Sequence, residues 1–408
     1  PAPNPSIRRW SCDARNPAPR SATAAAAGKG AMTDPPIDAA RAELLRLAEE
    51  AASALPLQPH VKNRSRAQES VVEACLELDQ PVRAREVSSS IANWRRGSAF
   101  AALAVYCATR HDERGAHEWL DRAQVVLSGP VDEDEQTWRL DRIRGKMACA
   151  HLLLGEEEAA EELEFGLEAV ERIAAEEARS KLTPADRFDE RIAALNGLLP
   201  SATFEQARLA VASATALFDR FYEDPERRAA AEGVVRSAWT KLPVLVRIEA
   251  TERLARLALE HSDRTVAEAL ANELREVVDG ATWLPEDFVP WQSRVASLMH
   301  DVGDDTQARA LITRARERYF ESRDRIVDIY RAGALRPLAE AYARLGDTAR
   351  ALEIWTIAVE ESVHNPNSRP RAEDLVATCL SIARSGVDPD GSLFERLREV
   401  RAGLSAPW

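Results

Sequence analysis

The chain has 408 residues, 45% of them hydrophobic, and a formal net charge of −13. That length exceeds one compact domain unless the chain is a stacked array whose units touch only their neighbours. The acid excess argues against nucleic acid as a partner, because binding there needs cations to replace phosphate counterions, and no uninterrupted apolar run is long enough to span a membrane.

Residues 1–31 differ from the rest. They are rich in Pro, Ala and Arg and carry five basic groups against one acid, leaving −17 for the remainder. Without apolar periodicity, residues 1–35 are expected to be disordered. Arg8-Arg9 looks like the start of a twin-arginine export signal, but no apolar stretch follows it, so a signal peptide is rejected. Met32 is the expected natural start. Residues 36–60 read as an amphipathic helix and a linker. Leu44, Leu45, Leu47 and Ala51 line the apolar side of Asp38–Leu55, and Pro56 and Pro59 end it. Ser65-Arg66-Ala67-Gln68 has the form of a capping box, so a repeat domain is expected to open there and run over 65–404.

Within that domain one pattern returns: a large apolar residue, a small one after it, and small residues 12 and 19 further on. Val71, Val72, Ala84 and Ile91 form a poor first copy. Leu103, Ala104, Ala116 and Ala123 match in full. Met147, Ala148 and Ala160 follow, with Leu167 in the last place. Leu254, Ala255 and Ala267 follow, with Leu274 last. Val295, Ala296, Ala308 and Ala315 match, and so do Leu338, Ala339, Ala351 and Ala358. Small residues at these places allow two helices to approach closely. A turn signal travels with each copy: Asp79-Gln80, His111-Asp112, Gly155-Glu156, Ser262-Asp263, Gly303-Asp304 and Gly346-Asp347. Glycine supplies the left-handed residue of a helix stop, and the acid after it can cap the next helix.

The copies are 32, 44, 107, 41 and 43 residues apart. The long gap leaves room for two more units at about 180–240, a degenerate middle. Thr183-Pro184 and Asp224-Pro225 are helix starts there, and Phe204–Tyr222 reads as one long helix. An unpaired extra helix also fits that stretch. Toward the end, Arg371–Ser385 and Ser392–Leu404 keep helical periodicity while the small-residue pattern decays.

The hairpin at 338–358 resembles the tetratricopeptide repeat, a helical hairpin with small, large and glycine residues at fixed offsets. The resemblance implies an all-α, right-handed α-solenoid of stacked antiparallel hairpins, about seven or eight of them. Most intervals here exceed the 34-residue unit of that family, so HEAT-like stacking competes and the groove shape is not carried over.

Candidate chemistry is sparse. His117-Glu118 begins like a zinc-protease HExxH motif, but Asp121 stands where the second histidine belongs. Asp132–Glu135 and Glu156–Glu158 read as acidic first turns of helices. Neither a glycine-rich phosphate loop nor a nucleophile elbow is found. Trp94, Trp138, Trp239, Trp283, Trp291 and Trp355 are expected in helix interfaces. Cys12, Cys75, Cys107, Cys149 and Cys379 show no CxxC spacing, which fits a reducing compartment, the cytoplasm.

The resemblance places function on the concave face formed by first helices. It assigns Arg336 and Glu340, Ser293 and Ser297, Glu252 and Arg256 to that groove, with Ala101 and Val105, Gly145 and Cys149, and Glu69 and Glu73 in the earlier copies. The groove is thus expected to be charged toward the C-terminus and apolar in the N-terminal half. Helix 38–55, another protomer or a partner helix is expected to cover the apolar part. The expected function is a non-catalytic protein-interaction scaffold that binds a peptide or partner helix, with neither cofactor nor metal. The alternatives are a helical-repeat sensor and, ranked lower, an α/α-toroid enzyme with a carboxylate-lined cavity.

Overall fold

The computed structural model describes residues 34–129 and 137–408. The expectations placed on residues 1–31 and on Asp132–Glu135 lie outside these residues. Among the described residues there are nineteen α-helices and no strands, and none of these helices is long and apolar enough to cross a membrane.

After α1 (Ala39–Ala54) the chain runs through eight helix pairs. They are α2 (Leu57–Glu77) with α3 (Pro81–Ser90), α4 (Arg95–Thr109) with α5 (Glu113–Leu127), α6 (Thr137–Leu153) with α7 (Glu157–Glu164), and α8 (Ile173–Lys181) with α9 (Phe188–Leu198). Then come α10 (Phe204–Arg220) with α11 (Pro225–Ala238), α12 (Val244–Glu260) with α13 (Arg264–Gly280), α14 (Pro285–Asp301) with α15 (Asp305–Ser322), and α16 (Asp328–Arg344) with α17 (Thr348–Val363). The chain ends in α18 (Ser368–Ser385) and α19 (Gly391–Ala402).

The small-residue pattern explains the pairing. Ala104, Ala116, Ala123, Ala255, Ala267, Ala296, Ala308, Ala315, Ala339, Ala351 and Ala358 are all fully buried. With so little side chain between them, paired backbones approach closely and the flanking Leu, Val and Trp residues fill the space beside them. The six turn residues Asp79, His111, Gly155, Ser262, Gly303 and Gly346 all adopt positive φ. Asp112, Asp263, Asp304 and Asp347 then accept the backbone N–H of the residue three further on. Glu156 departs from this expectation: its helix has no side-chain cap, because the carboxylate is taken by two histidines.

Even-numbered helices α2 to α18 pack each on the next, and α18 packs back on α2. The solenoid therefore closes into a ring with nine inner helices. Its seam is built from both ends of the chain. Helix α1 lies against α18 and α2, where it takes the outer place that α17 takes beside α16. Leu44, Leu45, Leu47, Ala48, Ala51, Ala52 and Leu55 are buried in that seam. Five polar contacts join the two ends: Arg66 and Asn63 reach Glu373, Arg384 reaches Glu77, Arg398 reaches Glu43 and Arg401 approaches Glu50. Helix 38–55 is thus a ring element, and the expectation that it covers an inner wall is corrected.

The capping box at Ser65 is also corrected. Helix α2 runs through that position, and Ser65 is fully buried inside it. The preceding turn is held because Arg64 donates to the carbonyls of Ser53 and Leu55, closing the open end of α1.

The middle of the ring is irregular. Helix α7 has only 8 residues, and α9 leans away from α8 onto α10 and α11. A small separate core of Ala148, Cys149, Leu152, Ala160, Ala175 and Ala178 joins α6, α7 and α8. The segment between α7 and α8 crosses α6 at Gly145, where a Cβ would stand 2.0 Å from the Glu171 carbonyl oxygen. A backbone oxygen cannot swing aside. Gly145→Ala is therefore expected to lower stability by ~1–3 kcal/mol, read as the midpoint shift in urea unfolding; an unchanged midpoint would mean that the segment does not rest on α6.

Candidate functional site

The residues expected in a groove all lie on inner helices, but they divide into two groups. Ala101, Gly145, Cys149 and Ser293 are buried between helices. Ser293 spends its hydroxyl on the carbonyl of Val289, and Ser297 donates to Ser293. Val105 is half-buried and packs on the core. The charged members link successive inner helices. Arg336 on α16 donates to Asp374 on α18 at 3.0 Å, and Glu340 accepts from Ser381 of α18 at 2.7 Å. Ser381 in turn accepts the indole N–H of Trp355, which is fully buried.

Glu252 is the centre of a second group. It is 3% exposed and pairs with Arg256 at 2.8 Å on its own helix and with Arg294 of α14 at 2.5 Å. Arg256 also reaches Asp301, which pairs with Arg344 of α16. Burial opposes the charge on Glu252, but the two guanidiniums outweigh it and hold the carboxyl below its ordinary range.

The N-terminal arc of the inner wall was expected to be apolar and is charged instead. The sequence signal was present in Glu69, Glu73 and Lys146, but apolar neighbours such as Val105 and Cys149 drew the assignment. Glu69 on α2, 4% exposed, accepts from Ser98 at 2.7 Å and pairs with Arg95 of α4. Lys146 of α6 stands 3.7 Å from it, reaching past α4. Burial pulls the Glu69 carboxyl up, yet Lys146, Arg142 and Arg95 together bring it down to about 2.

One turn further along α2, Glu73 has no hydrogen bond or ion pair and remains open to water, although Glu69, Glu77, Arg142 and Lys146 surround it. Although its side chain reaches water, the crowding of protein around it, with Glu69 and Glu77 alongside, pushes its carboxyl upward. On the far side, Arg253 of α12 pairs with Glu177 of α8 at 2.8 Å, reaching past α10. Such reaches past an intervening helix place these side chains on the wall of the central opening. The acids Glu69, Glu73 and Glu77 come from a single helix and are interleaved with cations. Among the described residues no group of three His, Cys, Asp or Glu side chains is arranged to hold a metal ion.

His117, singled out for its HE dipeptide, sits at the outer rim. Its Nδ1 meets the carbonyl of Glu113 at 2.7 Å, and its Nε2 meets Glu156 at 2.8 Å. The other oxygen of Glu156 meets His151 at 2.6 Å. The Glu113 carbonyl first, then Glu156, raises the His117 pKa. A raised imidazole pKa stabilises the fold at acid-to-neutral pH, fully so below the unfolded-state pKa, and the gain is lost as pH rises through the folded value. Both partners are exposed, so the loss is expected to be under ~1 kcal/mol. A small fall in Tm between about pH 6 and 8 should shrink in Glu156→Gln, which leaves the Glu113 contact in place; an unchanged fall would place its cause elsewhere.

The two ends of the ring differ. At one end, the turn face, inner helices pass into outer ones through the tight turns. At the other, the junction face, outer helices return to inner ones. Among the described residues ten large apolar side chains are exposed, and of these only Leu182 is at the turn face. Leu57, Trp138, Leu245, Leu284, Val327 and Ile329 stand at the starts of inner helices, and Val125, Phe165 and Phe320 at the ends of outer ones. Phe165 is 84% exposed. It precedes Gly166, which has positive φ, and Arg144 holds its carbonyl at 2.6 Å. Trp138 stands edge-on to Trp94 at 5.5 Å.

These features define the class: an α-solenoid of helical hairpins joined end to end. No family model matches the chain, and none of the curated proteins matches it. Among solved structures it is similar to one described as a circular tandem repeat protein with novel repeat topology and enhanced subunit contact surfaces. The identity is 17%, over 90% of this chain and 96% of that one, with a TM-score of 0.27. A likeness at that level carries no weight here, and the ring is established by the contacts between the chain's own ends.

Proposed function

We propose that the protein is a non-catalytic interaction scaffold whose partner segment, a peptide or a helix, is received on the inner wall of the ring. The units are read as relatives of the tetratricopeptide hairpin, and their buried alanines and glycine-acid turns support that reading. Four buried thiols support residence in the cytoplasm: Cys75, Cys107 and Cys379 are pushed up to about 12 by burial, and Cys149 lies in the small core.

The observation that carries the proposal is Glu73. It is a carboxylate without a partner, open to water, in a wall where almost every other charge is matched. A segment that offers a cation to Glu73 would complete the wall. Arg256, Ser297 and Val105 would border that surface, while Arg336, Glu340 and Glu252, first assigned to it, bind neighbouring helices and brace the wall behind it.

A photo-crosslinking residue at position 73 tests this in cells. It is expected to capture one partner, whereas the same residue at Glu157 on the turn face captures none. Glu73 holds no ion pair, so Glu73→Lys should keep the fold and lose binding of the captured partner. Equal capture at both positions, or binding unaffected by Glu73→Lys, would remove the inner wall from consideration.

A further inference from the structure

The junction face is the part of the surface that the inner-wall reading leaves unused. Its exposed apolar side chains are spread around the ring, at the starts of five of the nine inner helices. Together they leave on the order of 900 Å² of apolar surface open, against roughly 800 Å² per partner in a standard interface.

The distribution decides what can cover it. Nine inner helices at ordinary spacing form a circle about 25–30 Å across, measured between axes, with the outer helices wider still. A peptide or single helix covers one arc and leaves the opposite arc wet. A partner with an annular apolar surface of the same diameter covers all of it. We propose that this partner is a second copy of the chain, so that two rings meet junction face to junction face about a two-fold axis.

Charge is consistent with that orientation. The turn face carries the capping acids Asp112, Asp263, Asp304 and Asp347; Glu113 and Asp305 lie in first turns that two of them cap, and Glu157 and Glu158 lie in the uncapped first turn of α7. Arg228 offsets Asp263 and Arg350 offsets Asp347, and the acids left over would oppose one another across two such faces. The junction face is mixed: Arg96 opens α4, while Glu286 and Asp287 open α14. A two-fold interface lets each patch of one sign meet the other. The stacked rings keep their acidic faces outward and their central openings in line. This proposal is independent of what binds at Glu73.

Sedimentation equilibrium of the full chain at about 1–100 μM tests it. The expected mass is twice the 45.0 kDa of one chain. The double variant Leu284→Asp/Val327→Asp changes two exposed residues and should sediment as a single chain. Its circular dichroism and Tm should be those of the wild type. The turn-face variant Glu157→Lys should remain a dimer. Three results would overturn the proposal: a monomer throughout this range, assemblies that keep growing with concentration as head-to-tail stacking requires, or a dimer that survives the double variant. Protection of Leu284 and Val327 from exchange only when a different protein is added would assign the face to that protein and also count against self-pairing.

Discussion

Leu47→Asp is expected to open the ring. Leu47 lies in the middle of α1, 1% exposed, between α18 and α2. An aspartate there would bury a charge among Leu44, Leu45 and Ala51 without a counter-ion. The cost is expected to exceed ~4 kcal/mol, which is large against the stability of any single seam. Because neighbouring units support one another mainly in pairs, the loss should stay local at first. The expected result is a molecule with full helix content, faster hydrogen exchange in α1, α18 and α2, and a larger radius in solution. A synthetic peptide covering 38–55 should restore the compact form of a chain that lacks those residues. A variant that keeps the wild-type radius and exchange pattern would show that α1 does not close the ring.

Glu69→Ala is expected to be nearly as costly. The carboxylate is the shared counter-ion of Arg95 and Lys146, and it also takes the Ser98 hydroxyl. Its removal leaves two partly buried cations facing each other, with an expected loss of ~3–5 kcal/mol. Glu69→Gln keeps the hydrogen bond from Ser98 and should lose less. The pH dependence gives an independent reading. The folded-state pKa lies near about 2, below the ordinary carboxylate value. Such a group contributes stability above the unfolded-state pKa, and the contribution is lost as pH falls through that value toward the folded one. Wild-type stability should therefore drop between about pH 4.5 and 2 more steeply than that of Glu69→Gln. Parallel curves would mean that Glu69 is not charged in the folded chain.

Much of the unit was legible in the chain. Ala339, Ala351 and Ala358 mark where backbones meet, and a short side chain at such a contact is a local requirement that survives without knowledge of neighbours. The left-handed residues Asp79, His111 and Ser262 were also legible, although none is glycine, because the acid or glutamine after them kept the register. The middle was harder. The short α7 and the tilt of α9 depend on the crossing at Gly145, and a lone glycine does not announce which carbonyl rests on it.

The candidate site was less legible for a reason of scale. Helical spacing assigns a residue to one face of its helix, but each inner helix has neighbours on both sides as well as the opening in front. Arg336 and Glu252 face the next helix, Glu73 faces the opening, and the sequence gives all three the same inward sign. In the same way, Leu284, Val327 and Ile329 read as ordinary apolar residues at helix starts until all the starts are placed at one end of a ring.

The sequence by itself determined the hairpin: which helices pair, where they turn, and which residues stay small. These follow from contacts between residues fewer than about forty apart, whose geometry is set by helical pitch and side-chain volume. Only the tertiary structure decided that the row of hairpins returns to its beginning. Closure depends on the sum of small rotations between successive units, a quantity to which every interface contributes and which no single stretch of residues encodes.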